Sequence, residues 1–497
     1  MRNKTRSALG VRSTPTQPQR VVATALCFCA IAWGSARAAE RTAVYFEHIG
    51  VVDVVRGAVL ANRDVLVNDG KIVSVTPSHG DRPESGSGRT LVDGRGKYLV
   101  PGFIDMHVHL NYRRLAEATV PLRPLTDAEI LSPNDLSIYL SNGVTTVQVM
   151  HGEPEMLPLR DQIARGDIVG PRLVVGSPRL DGPEGDPFVR VVATAQEAVA
   201  VVNEMKSTGY DFIKVYSELD QSTYDAIIDR SHQLGLRVDG HLPRSLPLEH
   251  GLNGQDHIAH MEEFAYFAKK FDADEIAEFT RLTRQAGVGV TPTLIVFKNV
   301  LRSISALDDF LASDDMRFAD PFVLYSCLPT NNSYLSAHFQ EPKTRERLAK
   351  YFEFMKKLTL SFHNAGVPIS VGTDATAACT VPGVSFHDEM EELVGVGISN
   401  ADVLRMATLE AAKAMRMLAR IGTIDVGKIA DLVVLDANPL ENIANSRRVS
   451  GVMVQGVWLS KAALDANLRR ALSNYKQLDQ RLHLEICRQG VCRPPLR

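Results

Sequence analysis

The chain has no Cys-x-x-Cys pair, which argues against a zinc site built from thiolates. It also lacks a basic excess. The formal charge is -3, so nothing draws it to nucleic acid or to an anionic membrane surface. The apolar stretch "VVATALCFCAIAWG" near the start is too short to span a bilayer comfortably. A shortage of apolar residues is not among the gaps: 45% hydrophobic and 23% charged is the balance of a soluble globular enzyme, not of a disordered or fibrous chain. At 497 residues the chain exceeds what one core usually supports, so a large barrel with a smaller domain is expected.

Residues 1–38 read as a cleaved export signal. Arg2, Lys4, Arg6, Arg12 and Arg20 precede the apolar stretch, and "SARAA" places small residues at Ala36 and Ala38. The alternative is an uncleaved anchor. Cleavage after Ala38 removes six basic residues and no acid, taking the charge from -3 to -9. A secreted or periplasmic protein is expected, with no membrane contact after cleavage and no nucleic-acid partner. Cys27 and Cys29 leave with the leader. Cys487 and Cys492 are spaced to close a small loop in an oxidising compartment, whereas Cys327 and Cys379 are expected to be free.

Two separated segments share one texture. Residues 39–96, with "VVDVVRGAVLANRDVLVNDGKIVSVTP", and residues 422–461, with "GTIDVGKIADLVVLDANPL" and "VSGVMVQGVWL", are short β-branched runs punctuated by turn residues. They are expected to pair into one small composite β domain. Between them, over 97–421, apolar strands alternate with amphipathic helices: "GVTTVQVM", "PRLVVGSP", "FIKVYS", "LRVDGHL", "DHIAHMEE", "GVTPTLIV" and "PISVGTDA". That alternation predicts an α/β architecture, a parallel (β/α)8 barrel of the TIM type, whose chemistry sits at the C-terminal ends of its strands.

The unusual residues fall at those ends. His107 and His109 close "PGFIDMHVHL", and residues two apart on a strand face one side, so both imidazoles can grip one cation. Lys214, His241, His260 and Asp374 close later strands in succession. Singly, each has a plain reading: a lysine reaching solvent, satisfied loop histidines, a helix N-cap. As a set of six they point to a metal centre.

At these residues the sequence resembles the amidohydrolase superfamily over nearly the whole mature chain. "GKYLVPGFIDMHVHL" resembles its first-strand signature, "GTDA" its eighth-strand motif, and "GKIADLVVLDANPLENI" the return into its composite β-sandwich domain. Lys214 with "IAHMEE" is most similar to the branch of imidazolonepropionase-like proteins and prolidase-type dipeptidases. The resemblance implies that His107, His109 and Asp374 bind a first divalent metal and His241 and His260 a second. Lys214 would bridge both as a carbamate formed with carbon dioxide, since a buried lysine loses its proton more easily. Zinc suits this donor set best. His257 competes for the sixth-strand position, and His260 fits the pattern better.

The implied reaction is hydrolysis of an amide-type C–N bond in a dipeptide or N-acyl amino acid. Two ions make hydroxide available at neutral pH, and Asp374 passes the proton to the leaving nitrogen. An esterase, lactonase or phosphotriesterase-like hydrolase using the same site is the alternative, and a non-catalytic barrel with an assembly role is a third, disfavoured by the complete ligand set. His151 in "VMHGEP" and Tyr216 are candidates for holding a substrate oxygen or carboxylate. The strand before His151 departs from the family pattern, so it says little about substrate.

Residues 297–357 exceed an ordinary barrel connection and are expected to form a lid-like insertion or pocket wall. Its Phe310, Phe318, Phe322, Tyr325 and Tyr334 are expected mostly to pack it onto the barrel. His387 reads as a surface residue or one behind the ligands. Residues 462–497 read as a helical extension ending in the Cys487–Cys492 pair, a candidate homo-oligomer element that nothing in the sequence requires.

Overall fold

A computed structural model describes residues 43–79, 88–110, 133–183, 189–328 and 341–488. The leader, Tyr334, Cys492 and the Cys487 side chain lie outside them.

The two β-textured segments, joined by Tyr98–Pro101 from the start of the segment expected to be barrel, form one eight-stranded sheet. In spatial order it runs Val457–Ser460, Val449–Val454, Leu432–Leu435, Tyr98–Pro101, Ala43–Asp53, Ala58–Asn68 and Lys71–Pro77, with Arg89–Asp93 paired beside Ala43–Asp53. The junction is antiparallel, Leu432 facing Pro101 and Leu435 facing Tyr98. Alternate residues of these strands, among them Val44, Phe46, Val65, Val67 and Leu432, form one apolar core. Trp458 meets Phe46 edge to face at 5.3 Å.

The barrel is closed by eight positions. Phe103–Val108, Val144–Val149 and Arg172–Val175 pair in parallel, as do Phe212–Val215, Arg237–Gly240, His257–Ala259 and Gly289–Thr291. A bridge between Gly176 and Phe212 joins the two groups. The stretch 368–375 fills the eighth position, through bridges of Ile369 to Val290 and Ala375 to Val108. These strands are buried on both faces, as helices outside and packed side chains inside require.

The long insertion has its own core. Phe310, Phe322 and Tyr325 are buried with Val381 and Val384, and with Ala471 and Tyr475 of the C-terminal helix Lys461–Arg488; Phe318 packs against them. Tyr475 also hydrogen-bonds Asp135. Cys327 and Cys379 correct the expectation of two free thiols: they form a disulfide with Cα atoms 5.9 Å apart. They lie 52 positions apart in sequence, and only the docking of the insertion against the loop after Asp374 brings them together. Among the described residues no helix is long and apolar enough to cross a membrane.

Candidate metal centre

The first and eighth strands carry one half of the site. His107 Nε2 lies 3.2 Å and His109 Nε2 2.9 Å from Asp374 Oδ1. Their strands are laced by Asp374 N–H donating to His107 O at 2.8 Å and Met106 N–H to Val371 O at 3.0 Å. Asp105, buried two residues before His107, clamps the pair further. Its Oδ1 accepts from the N–H groups of His107 (3.2 Å) and Thr373 (3.1 Å), and its Oδ2 from the Thr373 hydroxyl (2.7 Å). Burial pushes this carboxyl up to about 7. Asp105 was visible as an acid inside an apolar run, but nothing in the run named its partners.

The fifth and sixth strands supply the other half. The rings of His241 and His260 lie 5.0 Å apart, and His260 lies 4.4 Å from His107. Donor atoms of His107, His260 and Asp374 all fall within 4.8 Å of one another. His241 Nδ1 meets Ser217 Oγ at 3.1 Å and Glu263 Oε1 at 3.3 Å, while His260 Nδ1 meets Thr293 Oγ1 at 2.8 Å. Engaging Nδ1 leaves Nε2 of each ring for the centre, as outer partners of metal-binding histidines do. His257 points elsewhere: its ring lies over Gly289, with Nε2 2.7 Å from Thr291 Oγ1.

Electrostatics favour a cation here. Burial holds His107 and His241 well below the ordinary imidazole range and brings His260 down to about 4, so all three are neutral, the form that binds metal. Burial opposes the charge on Asp374, but the imidazoles of His107, His260 and His109 set against it hold its carboxyl well below the usual range. Lys214 is fully buried and its Nζ has no hydrogen-bond partner among the described residues. Burial lowers this amine to about 7, against the pull of the Asp374 and Glu263 carboxylates. A buried nitrogen with neither partner nor secure charge, beside neutral imidazoles and an ionised carboxylate, fits a divalent ion bound through nitrogen and oxygen.

The two candidate substrate residues sit at strand ends. Tyr216 stacks on the His241 ring at 4.0 Å, and His151 Nε2 lies 3.5 Å from Glu153 Oε1. The sequence reading missed Arg179, a buried guanidinium 5.0 Å from the Tyr216 ring, and Glu263, which also accepts from Leu242 N–H and Arg244. His387 is neither at the surface nor behind the ligands. Fully buried, it bonds Ser446 Oγ at 2.8 Å and Asn142 O at 3.0 Å, tying the last helices to the β domain.

Comparison with known proteins gives the chain a family. Residues 98–459 match the model of the amidohydrolase family. An imidazolonepropionase of Geobacillus kaustophilus is 26% identical over 416 residues, covering 76% of this chain and 84% of that protein. Among solved structures, a putative prolidase from Bifidobacterium longum superposes with a TM-score of 0.62 at 26% identity, covering 86% of this chain and 99% of that one. A Xaa-Pro dipeptidase with methionine bound in its active site shares the fold, with a TM-score of 0.66 at 20% identity, over 84% of this chain and all of the other. The match spans both the barrel and the strands that return to the β domain, and the chain belongs to the amidohydrolase family, as a metal-dependent hydrolase acting on carbon–nitrogen bonds.

Proposed function

We propose that the protein is an exported hydrolase that binds two divalent ions, zinc by preference, and cleaves the amide bond of a dipeptide or N-acyl amino acid. The observation that carries this reading is Lys214: a buried amine lowered to about 7, without a hydrogen-bond partner among the described residues, beside five further potential ligands. In this reading His107, His109 and Asp374 hold one ion and His241 and His260 the other. The neutral Lys214 amine would take up carbon dioxide with loss of a proton, and the resulting carbamate would supply an anionic ligand to the ions. When bound, the ions supply Lewis acidity, acidifying a water and polarising the scissile carbonyl.

The chain's own groups do the rest. Asp374 Oδ accepts the proton of the attacking water and returns it to the leaving nitrogen, converting an amide anion into a neutral amine. Tyr216, with Arg179 beside it, and His151 orient the substrate carboxylate. The prolidase and dipeptidase neighbours support a small amino-acid-like substrate. Export is supported by the basic and apolar leader and by the Cys327–Cys379 disulfide, a bond that persists in oxidising compartments.

The test is metal content of wild type and Lys214→Ala, beside a panel of dipeptides, N-acyl amino acids, esters and phosphotriesters. About two equivalents of zinc with amide turnover, both lost in the variant, is the expected result. Turnover of esters or phosphotriesters alone would replace the substrate assignment. No metal after reconstitution with zinc and bicarbonate would overturn the centre.

A further inference from the structure

The helix Leu294–Ser305 starts without a side-chain cap from the residue before it. Thr293 precedes its first residue, and a threonine there ordinarily sits in extended backbone and turns its hydroxyl back to an N–H of the first turn. Thr293 does neither. Its backbone is left-handed, at φ 50° and ψ 42°, and its hydroxyl lies 2.8 Å from His260 Nδ1. Two of the orphan donors of the first turn, the N–H groups of Leu294 and Ile295, would then be stranded, since both residues are buried away from water.

Glu389, from the helix Val384–Gly395, supplies what Thr293 withholds. Its Oε1 accepts from Leu294 N–H at 3.1 Å and its Oε2 from Ile295 N–H at 2.7 Å. The loop so anchored is bonded to the sixth-strand end by His260 N–H to Thr291 O at 2.9 Å and Met261 N–H to Pro292 O at 3.0 Å. Glu389 is itself fully buried, and the chemistry proposed above makes no use of it.

We infer that Glu389 is a positioning residue: by capping the helix in place of Thr293, it frees the Thr293 hydroxyl to hold His260 with Nδ1 protonated and the Nε2 lone pair turned to the metal centre. The inference rests on the reading of His260 as a ligand. A purely structural role for Glu389 predicts lost stability alone. A positioning role predicts a change at His260 as well.

The experiment uses the full chain, stripped of metal and titrated with zinc against a chromophoric chelator. Glu389→Gln keeps the shape but turns an NH2 group toward an N–H donor. The expected result is zinc affinity weakened about 10- to 100-fold in Glu389→Gln and in Thr293→Val, and no further in the double variant, because both cut one relay. With 15N-histidine labelling, the His260 ring of metal-free Glu389→Gln should move from one tautomer toward a mixture. kcat should fall with KM little changed.

Val300→Ala, in the same helix and buried, is the control: it should lower Tm and leave zinc affinity alone. If Glu389→Gln behaves like Val300→Ala, with unaltered zinc affinity and His260 tautomer, the relay is wrong. Additive losses in the double variant would overturn it too. If His260→Ala leaves zinc affinity intact, the ligand reading has failed, a result separable from failure of the relay alone.

Discussion

The two halves of the candidate metal centre are held by different means. Around His107, His109 and Asp374 the grip is intrinsic: adjacent strands exchange backbone hydrogen bonds, and Asp105, within the same strand as His107, ties them together. Around His241 and His260 it is borrowed. Glu263 and Thr293 reach in from connecting segments, and Thr293 depends in turn on a carboxylate 95 or more positions away. Strands in register position a side chain through many bonds that fail together, whereas a borrowed partner is one contact that a single substitution removes. The first half should therefore break globally and the second locally.

The largest effect is expected at Lys214, proposed to serve both halves, and at Asp374, proposed to carry the proton. Lys214→Ala and Asp374→Asn should each lower kcat at least about 1,000-fold, measured with whichever amide the panel identifies, because each removes a group that no neighbour replaces. Asp105→Ala comes next. It strands three buried donors, so we expect about 3 kcal/mol or more of lost stability by urea unfolding, with metal binding lost alongside. Stability that falls by less than about 1 kcal/mol would remove the contrast between the halves.

Glu263→Gln should act locally, weakening zinc binding about 10- to 100-fold while leaving unfolding little changed. An equal loss in both measurements would make the second half as intrinsic as the first. Reduction, or Cys327→Ala with Cys379→Ala, should cost about 2–4 kcal/mol for a loop of 52 positions, read as a lower Tm. Metal content should stay the same, because the bond anchors the insertion and neither half of the centre.

A further effect is a dependence on pH in the metal-free protein. The Lys214 amine is lowered from its ordinary 10.5 to about 7, so between these values the unfolded chain binds a proton that the folded chain does not. Stability should rise with pH through that window, and the penalty should be fully present below about 7. In Lys214→Met this rise should vanish from a series of Tm values at pH 7 to 10. A wild-type profile that is flat, or that falls in parallel with the variant, would show that the amine is not buried as an uncharged group.

Much of the barrel was legible because its signals are local. Apolar runs separated by helical patterns announce a parallel barrel, and a histidine, lysine or aspartate at the end of such a run stands out against the aliphatic residues before it. His107 and His109 were readable as a pair because strand side chains alternate. What was not legible lies in side chains that meet only after folding. Glu263 and Glu389 look like ordinary helix acids in "HMEE" and "FHDEMEE", Thr293 like a helix cap, and Arg179 like a loop cation. His387 looks like a surface residue or one behind the ligands, whereas it is a buried tie between Asn142 and Ser446.

The sequence by itself determined the barrel, the composite sheet and the residues that crowd its mouth, because periodicity and strand-end position are properties of neighbours in the chain. Only the tertiary structure decided that Cys327 bonds Cys379, that His257 turns to Thr291 while His260 turns to the centre, and that Glu389 caps a helix in place of Thr293. Each of those outcomes is a contact between segments distant in the chain. Its energy depends on burial and on a partner's distance, which exist only once the chain is packed.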